Sequence, residues 1–361
     1  MPRVYNFSAG PAMLPSEVLE AAARALLDYQ GKGFGIAEWS HRSKEFEAVV
    51  DEAIARCKAL LGIGDSHDVL FLQGGATQLF STIPMQLAGG RCVDYLACGE
   101  WGKKAAACAS EIGARVNIVA SSEDTGFDRV PPAETWRLTP DAAYLHVCSN
   151  ETVHGHRLVE LPRHPTLIVD ASSEFMSRPH PMERIALIYG GAQKNLGPSG
   201  LVLAIVRKDL YERIPAKGLP KLFSFKAQAE QKSMINTPPT FAIYVLLEVF
   251  RWLERQGGLA AMERRNAEKA RLIYEAIDGS GGFYRGTIAD PAQRSHMNVT
   301  FRLPNEELTE RFVKEAAAQG MLALKGYRTV GGIRASLYNA MPLEGCRMLA
   351  EFMREFQRRC G

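Results

Sequence analysis

Lys194 is the residue of this sequence best placed to act as a nucleophile. It follows the apolar run 185–188, and the segment 189–200 around it contains glycines at positions 190, 191 and 197. Glycines leave room for a bulky group to lie against the backbone. Apolar surroundings disfavour the ammonium form, which lowers the pKa of the amine and makes it nucleophilic. The alternative is a surface lysine in a glycine-rich turn.

Asp170 supplies a second chemical group, because it ends the apolar run 166–169 upstream of Lys194. A carboxylate at the end of a buried strand can pair with the ring nitrogen of pyridoxal phosphate and keep that nitrogen protonated. The lysine and the aspartate together predict a pyridoxal-phosphate site in which Lys194 bonds covalently to the cofactor. The alternative for Asp170 is a cap on the following turn.

A third feature can hold the cofactor's phosphate. The apolar run 69–72 is followed by Gln-Gly-Gly-Ala-Thr-Gln at 73–78 and then by apolar residues at helical spacing. Free N–H groups and the helix dipole at a helix start bind anions. Ala76 and Thr77 are therefore predicted cofactor contacts, and Thr77 adds a hydroxyl group.

With these segments the chain resembles the phosphoserine aminotransferases, a family of class-V, fold-type I pyridoxal-phosphate enzymes. The resemblance runs nearly end to end and rests on seven motifs: NFSAGPAMLP at 6–15, SHRSKEF at 40–46, NET at 150–152, GAQKN at 191–195, NTPPT at 236–240, GGIRAS at 331–336 and YNAMP at 338–342. Their combination, in this order, is highly specific.

The strand pattern predicts an α/β fold. Seven apolar segments alternate with helical or loop stretches between residues 68 and 206: 69–72, 93–97, 116–119, 143–147, 167–169, 186–189 and 201–206. Such alternation is typical of a mostly parallel sheet, whose ligands collect at the carboxyl ends of the strands. The resemblance implies a large cofactor domain at 16–257 with a seven-stranded sheet. It also implies a small α/β C-terminal domain at 258–361, on which residues 1–15 pack.

The resemblance implies further cofactor contacts. Trp101 is expected to stack on the pyridine ring, Thr152 to bond the hydroxyl region of the cofactor, and Gln193 to touch it beside the lysine. Asn236 and Thr237 are expected to reach the phosphate of a neighbouring subunit, which makes the active form a homodimer with shared sites. Trp101 also follows a predicted strand end, where an aromatic face could stack on the ring, and its alternative is an ordinary buried indole at a helix start. From the residues alone, the pair at 236–237 is a turn in a proline-bounded loop.

Substrate recognition is expected to fall to arginines, because a guanidinium grips a carboxylate through two parallel hydrogen bonds. The resemblance assigns Arg334 to the substrate α-carboxylate. It assigns His41, Arg42 and Arg328 to the phosphate of phosphoserine or the side-chain carboxylate of glutamate, with His41 and Arg42 crossing from the other subunit. Ser8 is a further predicted substrate contact. Without the motifs, each arginine would be a surface charge.

The chain departs from the family pattern at two positions. Some members carry an arginine where this chain has Thr77, and a histidine commonly stands where this chain has Tyr327. Both differences remove a potential positive charge from the phosphate pocket, although the hydroxyl of Tyr327 can still donate one hydrogen bond. Both differences bear on recognition of a phosphorylated substrate and not on the assignment of the cofactor.

The resemblance implies transamination between L-glutamate and 3-phosphooxypyruvate, giving 2-oxoglutarate and O-phospho-L-serine for serine biosynthesis. A related four-carbon phospho-oxo acid of pyridoxine biosynthesis is a plausible second substrate. The nearest alternative is an alanine–glyoxylate-type aminotransferase, which would share the lysine and aspartate but need no phosphate pocket. A cysteine desulfurase would require a mobile catalytic cysteine. A non-catalytic phosphate-binding protein would leave the lysine, aspartate and arginines unexplained.

Composition excludes several classes of protein. The 361 residues favour two domains, and 46% hydrophobic and 23% charged residues are ordinary for a globular chain. A net charge of +3 is too small to predict binding to nucleic acid or a membrane surface, and no apolar run approaches the ~20 residues of a membrane span. Seven scattered cysteines without a C-x-x-C pair predict reduced thiols in a cytoplasmic protein and no metal site.

Overall fold

The computed structural model describes residues 3–361, so the predicted packing of residues 1–2 lies outside the described part. The strands are β1 (Tyr5–Asn6), β2 (His67–Gln73), β3 (Cys92–Ala97), β4 (Arg115–Ser121), β5 (Leu145–Cys148), β6 (Leu167–Asp170), β7 (Leu187–Gly191), β8 (Leu201–Arg207), β9 (Arg285–Gly286), β10 (Asn298–Arg302), β11 (Met321–Leu322) and β12 (Ile333–Ser336). The helices are α1 (Ser16–Leu27), α2 (Lys44–Leu61), α3 (Ala76–Leu87), α4 (Glu100–Glu111), α5 (Phe225–Glu230), α6 (Thr240–Arg255), α7 (Gly258–Asp278), α8 (Glu306–Ala318) and α9 (Leu343–Cys360).

The central sheet has seven strands in the order β2-β8-β7-β6-β5-β3-β4. Strand β8 runs antiparallel to both of its neighbours, and the other pairings in the sheet are parallel. This confirms the predicted α/β fold with a mostly parallel seven-stranded sheet. The carboxyl ends of β2, β3, β5, β6 and β7 consequently lie along one edge of the sheet, where such folds bind ligands.

Both faces of the sheet are buried by helices. Along β2, Val69 and Phe71 point into an apolar cluster shared with α1, α2 and α6, whereas Leu70 and Leu72 point into a cluster shared with α3 and α4. This alternation follows from the period of two along a strand. Burial on both faces also explains why these strands appear in the sequence as continuous apolar runs.

A third apolar cluster belongs to the C-terminal part of the chain. It joins the three-stranded antiparallel sheet β12-β10-β9 to α7, α8 and α9, with Phe301, Phe312 and Phe352 at its centre. Strand β1 pairs with β11, and the buried Phe7 joins the same cluster, so the described N-terminal residues pack on this part. The division into domains at 16–257 and 258–361 stays a prediction.

The break between α6 and α7 falls at the glycine pair that interrupts the helical pattern. Gly257 has φ +91° and Gly258 has φ +74°. Such left-handed backbone favours glycine because a Cβ atom would clash there. Within residues 3–361, none of the helices is both long enough and apolar enough to cross a membrane.

Candidate active site

Lys194 lies in a tight turn between β7 and β8. The turn is closed by Ala192, whose N–H donates to the carbonyl of Leu201 at 2.8 Å and whose carbonyl accepts from Gly197 N–H at 2.7 Å. The side chain of Lys194 is 8% exposed, and its Nζ donates a 2.6 Å hydrogen bond to Thr152 Oγ1. The same Nζ lies 5.2 Å from the centre of the Trp101 ring. Three predicted site residues therefore meet around one amine.

The surroundings of Lys194 lower the pKa of its amine. Burial is the largest influence and lowers the pKa of Lys194, while the nearby Asp170, Cys148 and Glu151 act to raise it. The guanidinium of Arg334 adds a further lowering effect. The net direction is downward, which is the direction a nucleophilic lysine requires.

Asp170 is the last residue of β6 and is buried. Its Oδ1 accepts hydrogen bonds from Ser172 N–H at 2.9 Å and from Ser172 Oγ at 2.6 Å. Asp170 therefore also caps the next turn, which was the alternative role considered for it. Burial raises the pKa of Asp170, against the opposing effects of Lys194 and the Ser172 hydrogen bonds.

The expectation that the glycines around Lys194 make room for a ligand is wrong at Gly190 and Gly191, two of the three positions. A Cβ atom on Gly190 would lie 3.0 Å from Phe175 Cδ1 and 3.1 Å from Ser172 Cα, and one on Gly191 would lie 2.5 Å from Gln193 Oε1. The chain's own atoms occupy this space. Gly190 instead lets the turn after Asp170 pack against β7, and Gly191 leaves room for the side chain of Gln193.

The predicted phosphate-binding segment forms the turn between β2 and α3. Helix α3 begins at Ala76, and Gly75 caps it with an extended backbone, φ −121°. Thr77 is exposed, and no atom lies within 4 Å of the point where a Cβ on Gly75 would be. The N–H of Gln78 donates to the carbonyl of Gly75 at 2.9 Å, and those of Ala76 and Thr77 have no intrahelical partner, as anion binding at a helix start requires.

Asn236 and Thr237 lie beside this segment in the same chain. Gln73, the last residue of β2, donates from Nε2 to Asn236 Oδ1 at 2.7 Å and to the carbonyl of Thr237 at 3.3 Å. Both loop residues are exposed. Their predicted contact with a neighbouring subunit stays a prediction.

The N-terminal segment covers the lysine turn. Ala12 N–H donates to the carbonyl of Gln193 at 2.8 Å, and a Cβ on Gly10 would lie 3.4 Å from Lys194 Cγ. Ser8 is half-buried, and its Oγ accepts a 3.3 Å hydrogen bond from Gly10 N–H. The predicted residues Ser8 and Gln193 therefore lie in segments packed next to Lys194.

Arg334 extends from β12 toward the same region. Its Nη1 donates to the carbonyl of Thr152 at 3.4 Å, and its guanidinium carbon lies 5.8 Å from the ring centre of Tyr327. Both residues line a cleft of about 340 Å³ together with Val153 and His154. Tyr327, one of the departures from the family pattern, thus contacts the predicted substrate arginine, which the sequence did not indicate.

Three predicted phosphate ligands make no hydrogen bond or ion pair to the lysine within residues 3–361. Arg42 and Arg328 are exposed, and in the described part of the chain no hydrogen bond or ion pair joins them or His41 to Lys194 or Arg334. The Nε2 atom of His41 is buried and has no partner among residues 3–361.

Several residues at the site were not predicted as functional from the sequence. Glu151, Ser172, Asn195, Tyr338 and Asn339 are all buried close to the lysine turn. Four of them fall within the quoted motifs at 150–152, 191–195 and 338–342, so the motifs themselves were the available signal. For Ser172, the only available signal in the sequence was its position next to the strand end.

Comparison with known proteins agrees with this arrangement. The aminotransferase class-V family model matches residues 4–349. The phosphoserine aminotransferase of Geobacillus kaustophilus is 51% identical over 99% of each chain. The solved structure of phosphoserine aminotransferase from Bacillus circulans subsp. alkalophilus superimposes with a TM-score of 0.96, at 47% identity over 99% of each chain. The PLP-bound enzyme from Trichomonas vaginalis gives 0.94, at 40% identity, over 98% of this chain and all of the other. The chain therefore belongs to the phosphoserine aminotransferase family of class-V aminotransferases.

Proposed function

We propose that this protein is a pyridoxal-phosphate-dependent phosphoserine aminotransferase. It interconverts 3-phosphooxypyruvate and L-glutamate with O-phospho-L-serine and 2-oxoglutarate. The observation that carries the proposal is the buried amine of Lys194, hydrogen-bonded to Thr152 and close to the Trp101 ring and the Asp170 carboxylate.

The residues present fit pyridoxal phosphate. Lys194 offers a buried amine of lowered pKa, and Asp170 offers a buried carboxylate. Within residues 3–361, hydrogen bonds reach only Oδ1 of Asp170, which leaves Oδ2 for the pyridine nitrogen. The start of α3 at Ala76 and Thr77 would hold the phosphate, and Trp101 would cover the ring.

When bound, pyridoxal phosphate supplies an aldehyde carbon that bonds to amines and a ring that withdraws electrons from them. Asp170 keeps the proton on the ring nitrogen. Lys194 Nζ takes the proton from the substrate α-carbon and later returns a proton, acting as general base and then as general acid. Thr152 holds that Nζ in place through its hydroxyl oxygen.

Arg334 binds the α-carboxylate of each amino acid through its guanidinium, which the Tyr327 ring and the Thr152 carbonyl orient. His41, Arg42 and Arg328 bind the phosphate of O-phospho-L-serine or the distal carboxylate of glutamate. Following the family resemblance, we assign His41 and Arg42 to the site of a second copy and Arg328 to the site of its own chain.

The active form in this proposal is a cytoplasmic homodimer that acts on small molecules and not on nucleic acid. Leu27 is 81% exposed and Phe34 is 37% exposed, close in sequence to His41. Large apolar side chains in one exposed region favour burial against another protein. Asn236 and Thr237 would then reach the phosphate bound in the partner.

The test is the visible spectrum of the purified protein loaded with pyridoxal phosphate. Addition of O-phospho-L-serine without an oxo acid should abolish the yellow absorption, and 2-oxoglutarate should restore it. L-alanine and glyoxylate, added in place of this pair, should have little effect. A yellow protein that responds to alanine and ignores O-phospho-L-serine would contradict the proposed substrate and favour the alanine–glyoxylate alternative.

A further inference from the structure

Glu151 is a buried carboxylate beside the active site that the proposed mechanism does not use. It is 1% exposed, and its two oxygens accept hydrogen bonds from two different segments. Oε1 accepts from Val153 N–H at 3.1 Å, and Oε2 accepts from Trp101 N–H at 3.3 Å. A single side chain therefore connects the start of α4 to the loop after β5.

Gly99, just before α4, shows that the chain is shaped around this carboxylate. A Cβ atom at position 99 would overlap Oε2, Cγ and Cδ of Glu151. The backbone φ of Gly99 is 175°, an extended conformation open to any residue, so backbone conformation does not require glycine here. The requirement is the close approach of the Glu151 side chain.

The loop that carries Glu151 is itself closed. Glu151 N–H donates to the carbonyl of His156 at 2.8 Å, and its carbonyl accepts from Gly155 N–H at 2.9 Å. Thr152, which bonds Lys194 Nζ, lies inside this loop. The two groups that contact the lysine amine, the Thr152 hydroxyl and the Trp101 ring, thus stand on segments that Glu151 joins.

Burial disfavours the charged form of Glu151. Burial raises the pKa of Glu151 to about 7, while the Val153 and Trp101 N–H groups and the ammonium of Lys194 act to lower it. Asp170 adds a small raising effect. Burying a carboxylate costs free energy, and hydrogen bonds from specific donors to its oxygens offset that cost.

We propose that Glu151 is a positioning residue, whose carboxylate fixes Trp101 and Thr152 relative to Lys194 and so shapes the binding site of the cofactor ring. The inference rests on the proposed function only in requiring that the site bind pyridoxal phosphate.

The first test replaces Glu151 by glutamine, which has the same shape but one acceptor oxygen, so one of the two N–H groups loses its partner. Dissociation constants for pyridoxal phosphate are measured on the cofactor-free protein by equilibrium dialysis and by quenching of tryptophan fluorescence. Glu151→Gln should bind the cofactor about tenfold more weakly. Glu111→Gln, an exposed glutamate at the other end of α4, should bind it like the wild type.

A double-mutant cycle separates positioning from general damage. In a Trp101→Ala background the ring that Glu151 positions is gone and only Thr152 is left to position, so Glu151→Gln should weaken cofactor binding by a smaller factor, no more than about threefold. The same tenfold effect in both backgrounds, or an affinity of Glu151→Gln within about twofold of the wild type, would overturn the proposal.

Gly99→Ala provides an independent variant, because its methyl group displaces the Glu151 carboxylate while leaving the residue in place. Gly99→Ala should therefore bind the cofactor more weakly, as expected for Glu151→Gln, and it can be tested even if Glu151→Gln folds poorly. Wild-type affinity in Gly99→Ala would contradict the inference. Failure of the proposed function looks different, since the wild-type protein itself would then not bind pyridoxal phosphate.

Discussion

The backbone N–H of Asn339 donates a 2.9 Å hydrogen bond to Oδ1 of Asn195, the residue that follows Lys194. The Asn339 side chain donates in turn to the carbonyl of Met176 at 2.9 Å, and Asn195 Nδ2 donates to the carbonyl of Ser173 at 3.2 Å. The loop after β12 is therefore tied to both the lysine turn and the turn after Asp170. Buried networks of this kind are rigid when every member is satisfied.

Lys269 holds the other side of that loop. Its Nζ donates to the carbonyls of Leu337 and Tyr338, each at 2.7 Å, and of Met341 at 3.1 Å. Lys269→Met would remove this donor from the carbonyls of Leu337 and Met341, whereas the Tyr338 carbonyl would keep the N–H of Met341. It should lower the free energy of unfolding by about 3 kcal/mol. Urea unfolding followed by circular dichroism measures this, with the exposed Lys314→Met as control. A change below about 0.5 kcal/mol would show that the carbonyls find other partners.

Replacement of Lys194 by alanine should remove the group that moves the α-proton. We expect turnover of O-phospho-L-serine and 2-oxoglutarate to fall at least about 10³-fold, on the scale of general acid–base catalysis. A coupled assay of glutamate formation measures the rate. Lys217→Ala, at an exposed position, should retain wild-type activity. Ordinary turnover by Lys194→Ala would end the hypothesis.

Asp170→Asn tests charge separately from structure. The amide oxygen can still accept the two hydrogen bonds from Ser172, so the fold should persist. Loss of the carboxylate should reduce kcat by roughly 10²-fold with little change in KM, as for other preorganised charges. Ser172→Ala, which removes one hydrogen bond and keeps the charge, should cost no more than about tenfold. Steady-state kinetics that show an undiminished kcat for Asp170→Asn would refute its assigned role.

Arg334→Lys should impair substrate binding more than chemistry. An ammonium keeps the charge but cannot form two parallel hydrogen bonds with a carboxylate, and it stacks less well on the Tyr327 ring. KM for both glutamate and O-phospho-L-serine should rise about 10- to 100-fold. The matched control is Arg302→Lys, an exposed arginine lining the same cleft. An unchanged KM with a reduced kcat would show that Arg334 acts in the chemical step and not in substrate binding.

Acid should destabilise the protein through Glu174. This carboxylate is 2% exposed and accepts from Arg178 at 2.9 and 3.2 Å. Burial acts to raise the pKa of Glu174, but Arg178 and His180 outweigh it and lower that pKa to about 2. Because the folded pKa lies below the unfolded value, the stabilisation is complete above pH ~4.5 and disappears as the pH falls toward 2. It corresponds to about 3 kcal/mol.

Urea unfolding at pH 5 and pH 2.5 measures that effect. Glu174→Gln does not titrate, so the difference in unfolding free energy between the two pH values should shrink by about 3 kcal/mol relative to the wild type. Glu275→Gln, which removes an exposed partner of Arg271, should leave the difference nearly unchanged. Equal pH dependence in all three proteins would show that Glu174 keeps an ordinary pKa.

The sequence alone determined the central sheet and the chemical class of the site. Strands buried on both faces are continuous apolar runs, so β2 to β8 could be located to within a few residues. Asp170 directly follows such a run and Lys194 lies in the turn after another, and parallel strands place their ends at one edge. Local patterns therefore sufficed for the sheet and for the lysine and aspartate.

Only the tertiary structure decided which side chains surround that pair. Three contacts at the site cannot be recognised from any repeating pattern in the sequence. They join Glu151 to Trp101, Tyr327 to Arg334 and Asn195 to Asn339. Likewise, the space beside Gly190 is filled by Phe175 of the same chain, although the glycine itself indicated room for a ligand. Such contacts depend on how the layers of the fold pack together. Many side chains look alike in their local sequence, and close packing decides which of them come into contact.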